Sequence, residues 1–257
     1  LLTEPTPPDR LWEDLRRGIA VFRTAERKLN ALRRLARREL LRLGASDLTG
    51  GTDILTVARG LSELADALLQ ILTDLFLPIL AERHGVPRND RGEEVGFAVI
   101  ALGKLGGREL NFSSDIDLMF VYGDEGETDG VRLGKVPISN HEFFNRLAGE
   151  ISRHASEVTD EGFLYRVDLR LRPDGESGAL ARSVPGFERY YESRGEVWER
   201  QMLIKARPCA GSEAVGRAFM RMIEPFVYPS HVDFSPAQEV RRIKDRIELR
   251  LGRRGQR

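Results

Sequence analysis

The sequence is poor in cysteine and histidine, the residues that most often form disulfides and zinc sites. Cys209 is the single cysteine among 257 residues, which excludes an internal disulfide framework and a cysteine-rich zinc site. The four histidines are scattered without metal-ligand spacing, so we interpret them as ordinary surface or partly buried residues. Such sparse cysteine is compatible with a reducing compartment, and we expect a cytoplasmic protein.

The sequence also lacks a net charge and a long apolar run. Lys plus Arg and Asp plus Glu number 40 each, so no global field attracts nucleic acid or an anionic membrane, and we expect neither as a partner. No stretch approaches the roughly 18 uninterrupted apolar residues of a membrane span. The start, "LLTEPTPPDR", lacks the features of a signal peptide. With no initiating Met and an end in "RRGQR", the chain resembles a piece of a longer protein.

Apolar spacing divides the chain into three regions. Residues 1–90 have helical spacing, with a predicted stop at Gly44 and a bend or break near Pro78. Residues 91–184 alternate apolar runs with one helical pattern, which predicts a mixed α/β core, and residues 185–257 return to helical patterns. We therefore predict an α+β fold in which a mixed sheet has flanking helices, with helical regions at both ends.

Within the core, "GFAVIALG" and "DIDLMFVY" are short apolar runs typical of strands that are covered on both faces. Ser139 and Glu142 have the spacing of a capping box that opens a helix. The segment "FLYRVDLRLRP", residues 163–173, alternates apolar and polar residues and predicts a third strand. Its polar face carries Asp168 among arginines.

Asp115 and Asp117 open the second of these strands. Residues two apart in a strand project from the same face, so the two carboxylates point to one spot. Two like charges so close repel each other unless a cation lies between them. Mg²⁺ is the simplest candidate, because it is commonly held by one or two carboxylates together with substrate phosphates.

Asp168 adds a third carboxylate if its strand neighbours that of Asp117. Three acids with guanidiniums around them suit phosphoryl or nucleotidyl transfer, in which cations neutralise the charge on phosphate oxygens. Asp168 could also act as a general base. The preceding pair Gly106 and Gly107 could let backbone N–H groups approach a phosphate.

Each feature alone has a simpler interpretation. An acidic pair is common in turns, paired glycines usually mark a tight turn, and Asp168 among arginines could belong to a surface ladder of ion pairs worth about 0–1 kcal/mol each. The combination of glycines, an acidic pair entering an apolar strand and a third acid on another strand favours the metal site.

The longer strings resemble a known family. Gly106 and Gly107, then seven residues, then "DID" resemble the signature of nucleotidyltransferases related to DNA polymerase β. "ALGKLGGRELNFSSDIDLMFVY", "YRVDLRLRPDGESGAL" and "WERQMLIKARPCAG" resemble the glutamine synthetase adenylyltransferase family, from about residue 27 onward. That family's enzymes carry two homologous catalytic domains, one adding and one removing AMP on a tyrosine of glutamine synthetase.

The resemblance implies one catalytic half, because the chain holds a single core of this type. The strings "VWERQMLIKAR" and "VDLRLRPDGESGAL" resemble the N-terminal, adenylyl-removing half more than the adenylylating half. The implied partners are glutamine synthetase as protein substrate, ADP, ATP and phosphate, and the PII signalling protein through the full-length enzyme.

The resemblance also implies roles for particular residues. Asp115, Asp117 and Asp168 would be catalytic and would bind Mg²⁺, as two ions. The residues that would bind the nucleotide or phosphate are Gly106, Gly107, Ser113, Ser114, Arg170, Arg172, Lys205 and Arg207.

Three alternatives remain open from the sequence. The chain could be the ATP-dependent adenylylating half, or a non-catalytic module of nucleotidyltransferase-like fold that regulates by binding. A nucleotidyltransferase acting on nucleic acid is more distant, because it would need a basic groove that the balanced charge does not suggest.

Overall fold

A computed structural model describes residues 6–130, 134 and 136–229 of the protein. The elements follow the order α1 (Pro8–Ala20), α2 (Ala25–Leu48), α3 (Ile54–His84), β1 (Pro87–Arg88), β2 (Phe97–Ala101), α4 (Gly103–Gly106), β3 (Ile116–Tyr122), β4 (Glu127–Thr128), α5 (Asn140–Ser156), β5 (Val167–Asp168), a 3-10 helix (Gly175–Ser177), β6 (Ala181–Ser183), α6 (Val184–Arg194), α7 (Val197–Leu203), β7 (Arg207–Gly211) and α8 (Glu213–Val227).

The central sheet is mixed and has the order β5-β3-β2-β7, with β6 also paired to β3. Strand β2 is antiparallel to both β3 and β7, whereas β5 and β6 run parallel to β3 at successive positions along it. A separate small sheet joins β1 to β4. The predicted α+β class with a mixed sheet and flanking helices is confirmed.

Helices cover both faces of the sheet, which explains the unbroken apolar runs in β2 and β3. Alternate residues of these strands belong to two separate buried clusters. Phe97 and Phe120 face the cluster built by α1, α2, α3 and α5, while Ile100 and Met119 face the cluster built by α6, α7 and α8. The aromatic ring of Phe144 on α5 stacks on both Phe97 and Tyr122.

Helix α3 is long and apolar enough to cross a membrane by length and composition alone, although the sequence led us to expect no such segment. In the structure it is a core helix that packs against α1, α2, α5 and β7. Fourteen of its residues are buried by these contacts, which accounts for its apolar composition.

The predicted helix stop at Gly44 is wrong, and so is a break at Pro78, whereas a bend there stays a prediction. Helix α2 continues through Gly44 to Leu48, and a Cβ at Gly44 would make only ordinary contact with the ring of Phe112, at 3.8 Å. Helix α3 continues through Pro78 to His84. Pro78 lies on the exposed side of the helix, where water can satisfy the carbonyl that loses its hydrogen bond.

The predicted strand at residues 163–173 is also largely wrong. Only Val167 and Asp168 form strand β5. The expected alternation fails on both sides, because Phe163 is 44% exposed while Arg172 is only 9% exposed. The chain turns instead at Asp168, whose carboxylate accepts the amide of Arg170 at 2.8 Å.

Half of the predicted capping box at the start of α5 is present, since the Ser139 side chain accepts the amide of Glu142 while the Glu142 carboxylate pairs with Arg146. Strand β7 comes from the region for which the sequence predicts helices, so the sheet extends past the predicted boundary at residue 184. The division into regions 1–90, 91–184 and 185–257 stays a prediction. The helical patterns predicted beyond residue 229 lie outside the described residues.

Glu199 is an acid buried in the helical layer beside the sheet. Its side chain is fully buried, and its Oε2 accepts the amide of Glu196 at 2.7 Å in the capping box that opens α7. Burial raises the pKa of this carboxyl above its ordinary value of 4.5. The folded protein therefore binds this proton more tightly than the unfolded chain does.

We expect Glu199 to make stability fall as the pH rises. Its contribution is full below pH 4.5 and is lost as the pH rises through the raised, folded-state pKa. In Glu199→Gln the amide oxygen can still accept the Glu196 amide, but no proton is released. Urea unfolding at a series of pH values on either side of 4.5 should show a shallower decline in the variant.

The matched control is Glu188→Gln on the neighbouring helix α6, where the side chain is exposed. It should follow the wild-type profile. An equally steep decline in Glu199→Gln would contradict the prediction.

Candidate active site

The candidate site is built where β3 and β5 run side by side. In their parallel register Ile116 lies opposite Val167, and Asp117 lies opposite Asp168. The amide of Ile116 donates to the carbonyl of Arg166 at 2.9 Å, and the carbonyl of Asp117 accepts the amide of Leu102 at 2.9 Å. Asp117 is therefore fixed from both neighbouring segments, and the sheet itself brings two of the three predicted acids to one level.

Arginines neutralise the two outer acids. The Arg166 Nε donates to Asp115 Oδ1 at 2.5 Å, directly before β3. Arg170 Nη2 donates to Asp168 Oδ2 at 2.5 Å, and this hydrogen bond is the main reason that the pKa of Asp168 lies below its ordinary value. Asp168 is thus an ionised carboxylate at neutral pH and a weak base.

Asp117 is in the opposite electrostatic situation. Burial raises the pKa of its carboxyl above 3.8, and the negative charges of Asp168 and Asp115 raise it further, whereas Arg170 only partly opposes them. A half-buried acid with two acidic neighbours is stabilised by added positive charge. These carboxylate oxygens and the repulsion between them therefore fit a hard divalent cation such as Mg²⁺.

The acids do not form a finished metal cage. Among the described residues, no group of three or more acidic, histidine or cysteine side chains is close enough to hold a metal ion. The arginine contacts account for this, because Arg166 and Arg170 each hold one outer carboxylate.

The glycine-rich turn before β3 is shaped by close packing. Gly103 has φ of +53°, and a Cβ there would lie 2.6 Å from Asp117 Oδ2. A Cβ at Gly106 would lie 2.1 Å from the carbonyl oxygen of Lys205. The amides of Gly106 and Gly107 already donate to the carbonyls of Leu102 and Gly103, so the predicted use of these amides for a phosphate needs the turn to open.

The loop from α4 to β3 places hydroxyl and amino groups near the acids. Lys104 Nζ lies 3.3 Å from both Asn111 Oδ1 and Ser114 Oγ, and the Ser114 hydroxyl also contacts Asn111. The carbonyl of Ser113 accepts Arg166 Nη2 at 3.1 Å. The predicted residues Ser113 and Ser114 are therefore brought to the same side as Asp115.

Two of the predicted phosphate ligands also make structural contacts, and their role in binding phosphate stays a prediction. Arg172 donates to the carbonyls of Leu169, Glu176 and Gly178 at 2.7 to 3.1 Å, so its guanidinium holds together the loop that follows Asp168. Arg207 binds Asp66 of α3, with Nη1 2.7 Å from Oδ2, and also the carbonyl of Leu105. Both guanidiniums are largely committed to protein groups.

Lys205 and Arg170 remain accessible cations. Lys205 Nζ pairs with Glu109 Oε2 at 2.8 Å, with both side chains about half exposed, and its Cδ would lie 3.1 Å from a Cβ at Gly107. Arg170 is 71% exposed beside Asp168. The predicted cations therefore divide into two that can reach a ligand and two that maintain the fold.

Sequence reasoning missed three residues of this site. Arg166 was placed on the polar face beside Asp168, which was a usable signal, but not among the site residues. Lys104 stands within the quoted glycine-rich string, yet its proximity to Ser114 depends on how the loop folds back. Gly103 has no signal in the sequence, because its need for positive φ and its contact with Asp117 appear only in three dimensions.

Together, a mixed sheet flanked by helices and acids aligned on adjoining parallel strands define a nucleotidyltransferase-like fold. The model of the family described as glutamate-ammonia ligase adenylyltransferase matches residues 1–222. The chain belongs to this family.

Curated relatives agree with the family. The chain is 42% identical over 223 residues to a protein of Thioalkalivibrio sulfidiphilus, 39% identical over 254 residues to one of Mannheimia haemolytica, and 37% identical over 255 residues to one of Pseudomonas aeruginosa. These matches cover 87%, 97% and 99% of this chain but 23%, 26% and 26% of the relatives. Each relative is named a bifunctional glutamine synthetase adenylyltransferase/adenylyl-removing enzyme. The chain thus spans about a quarter of their length.

We expect Gly106→Ala to destabilise the fold at the site by about 1–3 kcal/mol, because the new methyl group would meet the rigid backbone of Lys205. Chemical denaturation gives the free energy of unfolding. Gly149→Ala on α5 is the matched control, since its Cβ would meet only Leu180 at 3.8 Å and helical Gly to Ala changes are favourable. Equal stability of the Gly106 variant and the wild type would contradict the packing argument.

Arg172→Lys should also lower the free energy of unfolding, by on the order of 3 kcal/mol. A lysine cannot donate to three carbonyls arranged around a planar guanidinium, and partly buried acceptors would lose their partners. Arg170→Lys, at an exposed position of the same loop, should change stability by less than about 1 kcal/mol. Denaturant unfolding of both variants compares them directly, and equal losses would disprove the structural role of Arg172.

Proposed function

We propose that this chain is the adenylyl-removing catalytic unit of a glutamine synthetase adenylyltransferase. The observation that carries the proposal is the register of Asp117 opposite Asp168 with Asp115 alongside, in a chain of this family. The choice of the removing half rests on the strings "VWERQMLIKAR" and "VDLRLRPDGESGAL".

The reaction would be phosphorolysis of AMP attached to a tyrosine of glutamine synthetase. An oxygen of hydrogen phosphate attacks the phosphorus of AMP and forms the new P–O bond of ADP. The bond from phosphorus to the tyrosine oxygen breaks, its electron pair stays on that oxygen, and the proton of the hydrogen phosphate ends there. Entering and leaving oxygens lie roughly in line through the phosphorus.

Asp115, Asp117 and Asp168 would hold the metal ions that the family implies. Two Mg²⁺ ions bound there would neutralise the charge on the non-bridging phosphate oxygens. The lowered pKa of Asp168 favours its role as a ligand over its role as a general base. Arg166 and Arg170 would position the outer carboxylates, and Arg170 is exposed enough to reach the reacting phosphate.

The entering phosphate would bind near α4, at the exposed ammonium of Lys205 beside the Gly106–Gly107 turn. Lys205 lies against both glycines, and its ammonium is about half exposed beside Glu109. Glutamine synthetase is the proposed protein partner, and control by PII would act through the rest of a full-length enzyme. We propose a cytoplasmic location, as expected for this substrate.

The adenylylating half is the second candidate, since both directions displace a group at the same phosphorus. The non-catalytic module is disfavoured by Asp117, because the fold holds this half-buried carboxyl beside Asp168 and Asp115, whose charges oppose its ionisation. Nothing in the charge balance favours a nucleic acid substrate.

A paired assay with Mg²⁺ tests the proposal. Adenylylated glutamine synthetase with phosphate is scored for ADP, and unmodified glutamine synthetase with ATP is scored for protein-bound AMP. We expect ADP release, with a loss of at least about 100-fold in Asp117→Asn, because most of the charge stabilisation at the phosphorus disappears. Glu188→Asn, an exposed acid on α6, is the matched control and should retain activity.

AMP incorporation without ADP release would assign the adenylylating half to this chain and keep the same site. A folded protein without either product, at Mg²⁺ concentrations that saturate related enzymes, would overturn the catalytic proposal.

A further inference from the structure

A cavity of about 430 Å³ lies beside the carboxylates, between α2, the loop before β3 and the segment that leads into β5. We call it the aromatic pocket and define it by Leu40, Phe112, Phe163, Leu164, Tyr165 and Arg166. Its volume is within the range of small-ligand sites, roughly 300–1,000 Å³. Nothing in the proposed chemistry so far uses it.

The rim of the aromatic pocket exposes two phenylalanines to water. Phe112 is 45% exposed and Phe163 is 44% exposed, whereas Leu164 and Tyr165 beneath them are 5% and 7% exposed. A Cβ at the adjoining Gly162 would meet nothing within 4 Å, so the space beside Phe163 is open. Paired aromatic side chains kept in water above an apolar floor are typical of a binding surface for a flat apolar group.

The aromatic pocket shares a wall with the candidate active site. Arg166 lines the pocket and donates to Asp115 Oδ1 and to the Ser113 carbonyl. Ser113 and Ser114 line it as well. A group seated in the pocket is therefore separated from Asp115 by a single side chain.

The order of strands in the sheet indicates which group of the substrate would occupy the aromatic pocket. Strand β5 lies at one edge, and β7 lies beyond β2 on the other side of the acids. Lys205, directly before β7, and the α4 turn lie on that other side, where the entering phosphate is placed. Because entering and leaving oxygens face each other across the phosphorus, the leaving tyrosine oxygen belongs on the β5 side.

We propose that the aromatic pocket seats the ring of the tyrosine that carries AMP on the protein substrate. This inference rests on the proposed function and adds the residues that select a tyrosine. Phe112 and Phe163 contact the ring, the apolar floor excludes water, and Arg166 lies at the oxygen end between ring and carboxylates. Arg37 of α2 also lines the pocket and is 51% exposed, and with the two exposed phenylalanines it leaves the rim accessible to a side chain of another protein.

Binding of two short peptides provides the direct test. One contains tyrosine O-linked to AMP and the other contains serine O-linked to AMP, in the same sequence. With Mg²⁺ present, calorimetry on the wild type should show at least about tenfold tighter binding of the tyrosine peptide. Phe163→Ala should remove most of that preference, Phe163→Tyr should retain it, and the affinity for ADP should not change.

Kinetics provide the second readout. Phe163→Ala should raise the KM for adenylylated glutamine synthetase about tenfold while the KM for phosphate stays unchanged. Tyr228→Ala, which removes another exposed aromatic side chain, at a position 64% exposed, is the matched control. Phe112→Ala is a weaker variant for this purpose because its ring also packs near Gly44.

The outcomes separate this inference from the proposed function. Equal binding of the two peptides to the wild type, or an unchanged preference in Phe163→Ala, overturns the tyrosine pocket even if ADP release is observed. Weaker ADP binding with an unchanged peptide preference reassigns the pocket to the adenine base and also overturns it. A tyrosine preference that depends on Phe163 supports the inference even when no turnover is found.

Discussion

The site depends on the parallel pairing of two short stretches, Ile116–Asp117 and Val167–Asp168. This pairing puts like charges at one level of the sheet, which is an unfavourable arrangement that the fold has to support. The support comes from the backbone, since Asp117 is hydrogen bonded through its carbonyl to Leu102 and flanked by the Ile116 to Arg166 bond. The covered strands β2 and β3 supply the rigidity, because their side chains are buried on both faces.

The remaining electrostatics follow from that arrangement. Asp115 and Asp168 each pair with an arginine, and the hydrogen bond from Arg170 lowers the pKa of Asp168. Asp117 has no such partner in the part of the chain that the structure describes, and its pKa is raised by burial and by the charges of Asp168 and Asp115. A divalent cation is the group that would relieve all three. The arginines then have a second use, because a carboxylate that is released toward a cation leaves a guanidinium free to meet an anion. Each arginine would thus exchange a carboxylate for an anionic group of the substrate, and no additional charge would be buried.

Local signals in the sequence predicted much of this fold. The apolar runs of β2 and β3 and the Ser139 cap depend on near neighbours, and all three are present in the structure. The prediction failed at the third strand, where Arg172 looked like part of a polar face. The carbonyls of Leu169, Glu176 and Gly178, three to six residues away in a turn that the alternation does not signal, draw its guanidinium inward. Arg207 stays a predicted phosphate ligand, but its ion pair with Asp66 on α3 could not be predicted, because the two residues are far apart in sequence. The sequence predicted that Asp168 joins Asp117 only if their two strands are neighbours. Neither segment shows this pairing by itself, because the strands lie about fifty residues apart.

The Arg207 guanidinium has a structural consequence. Its Nη2 atom bonds both Asp66 on α3 and the carbonyl of Leu105 in α4, the turn whose Gly103 touches Asp117. A single rigid side chain thus links the long core helix to the backbone behind the central carboxylate. The long core helix and the turn behind the central carboxylate therefore belong to one hydrogen-bonded unit, which joins the N-terminal helices to the site as well as to the face of the sheet that they cover.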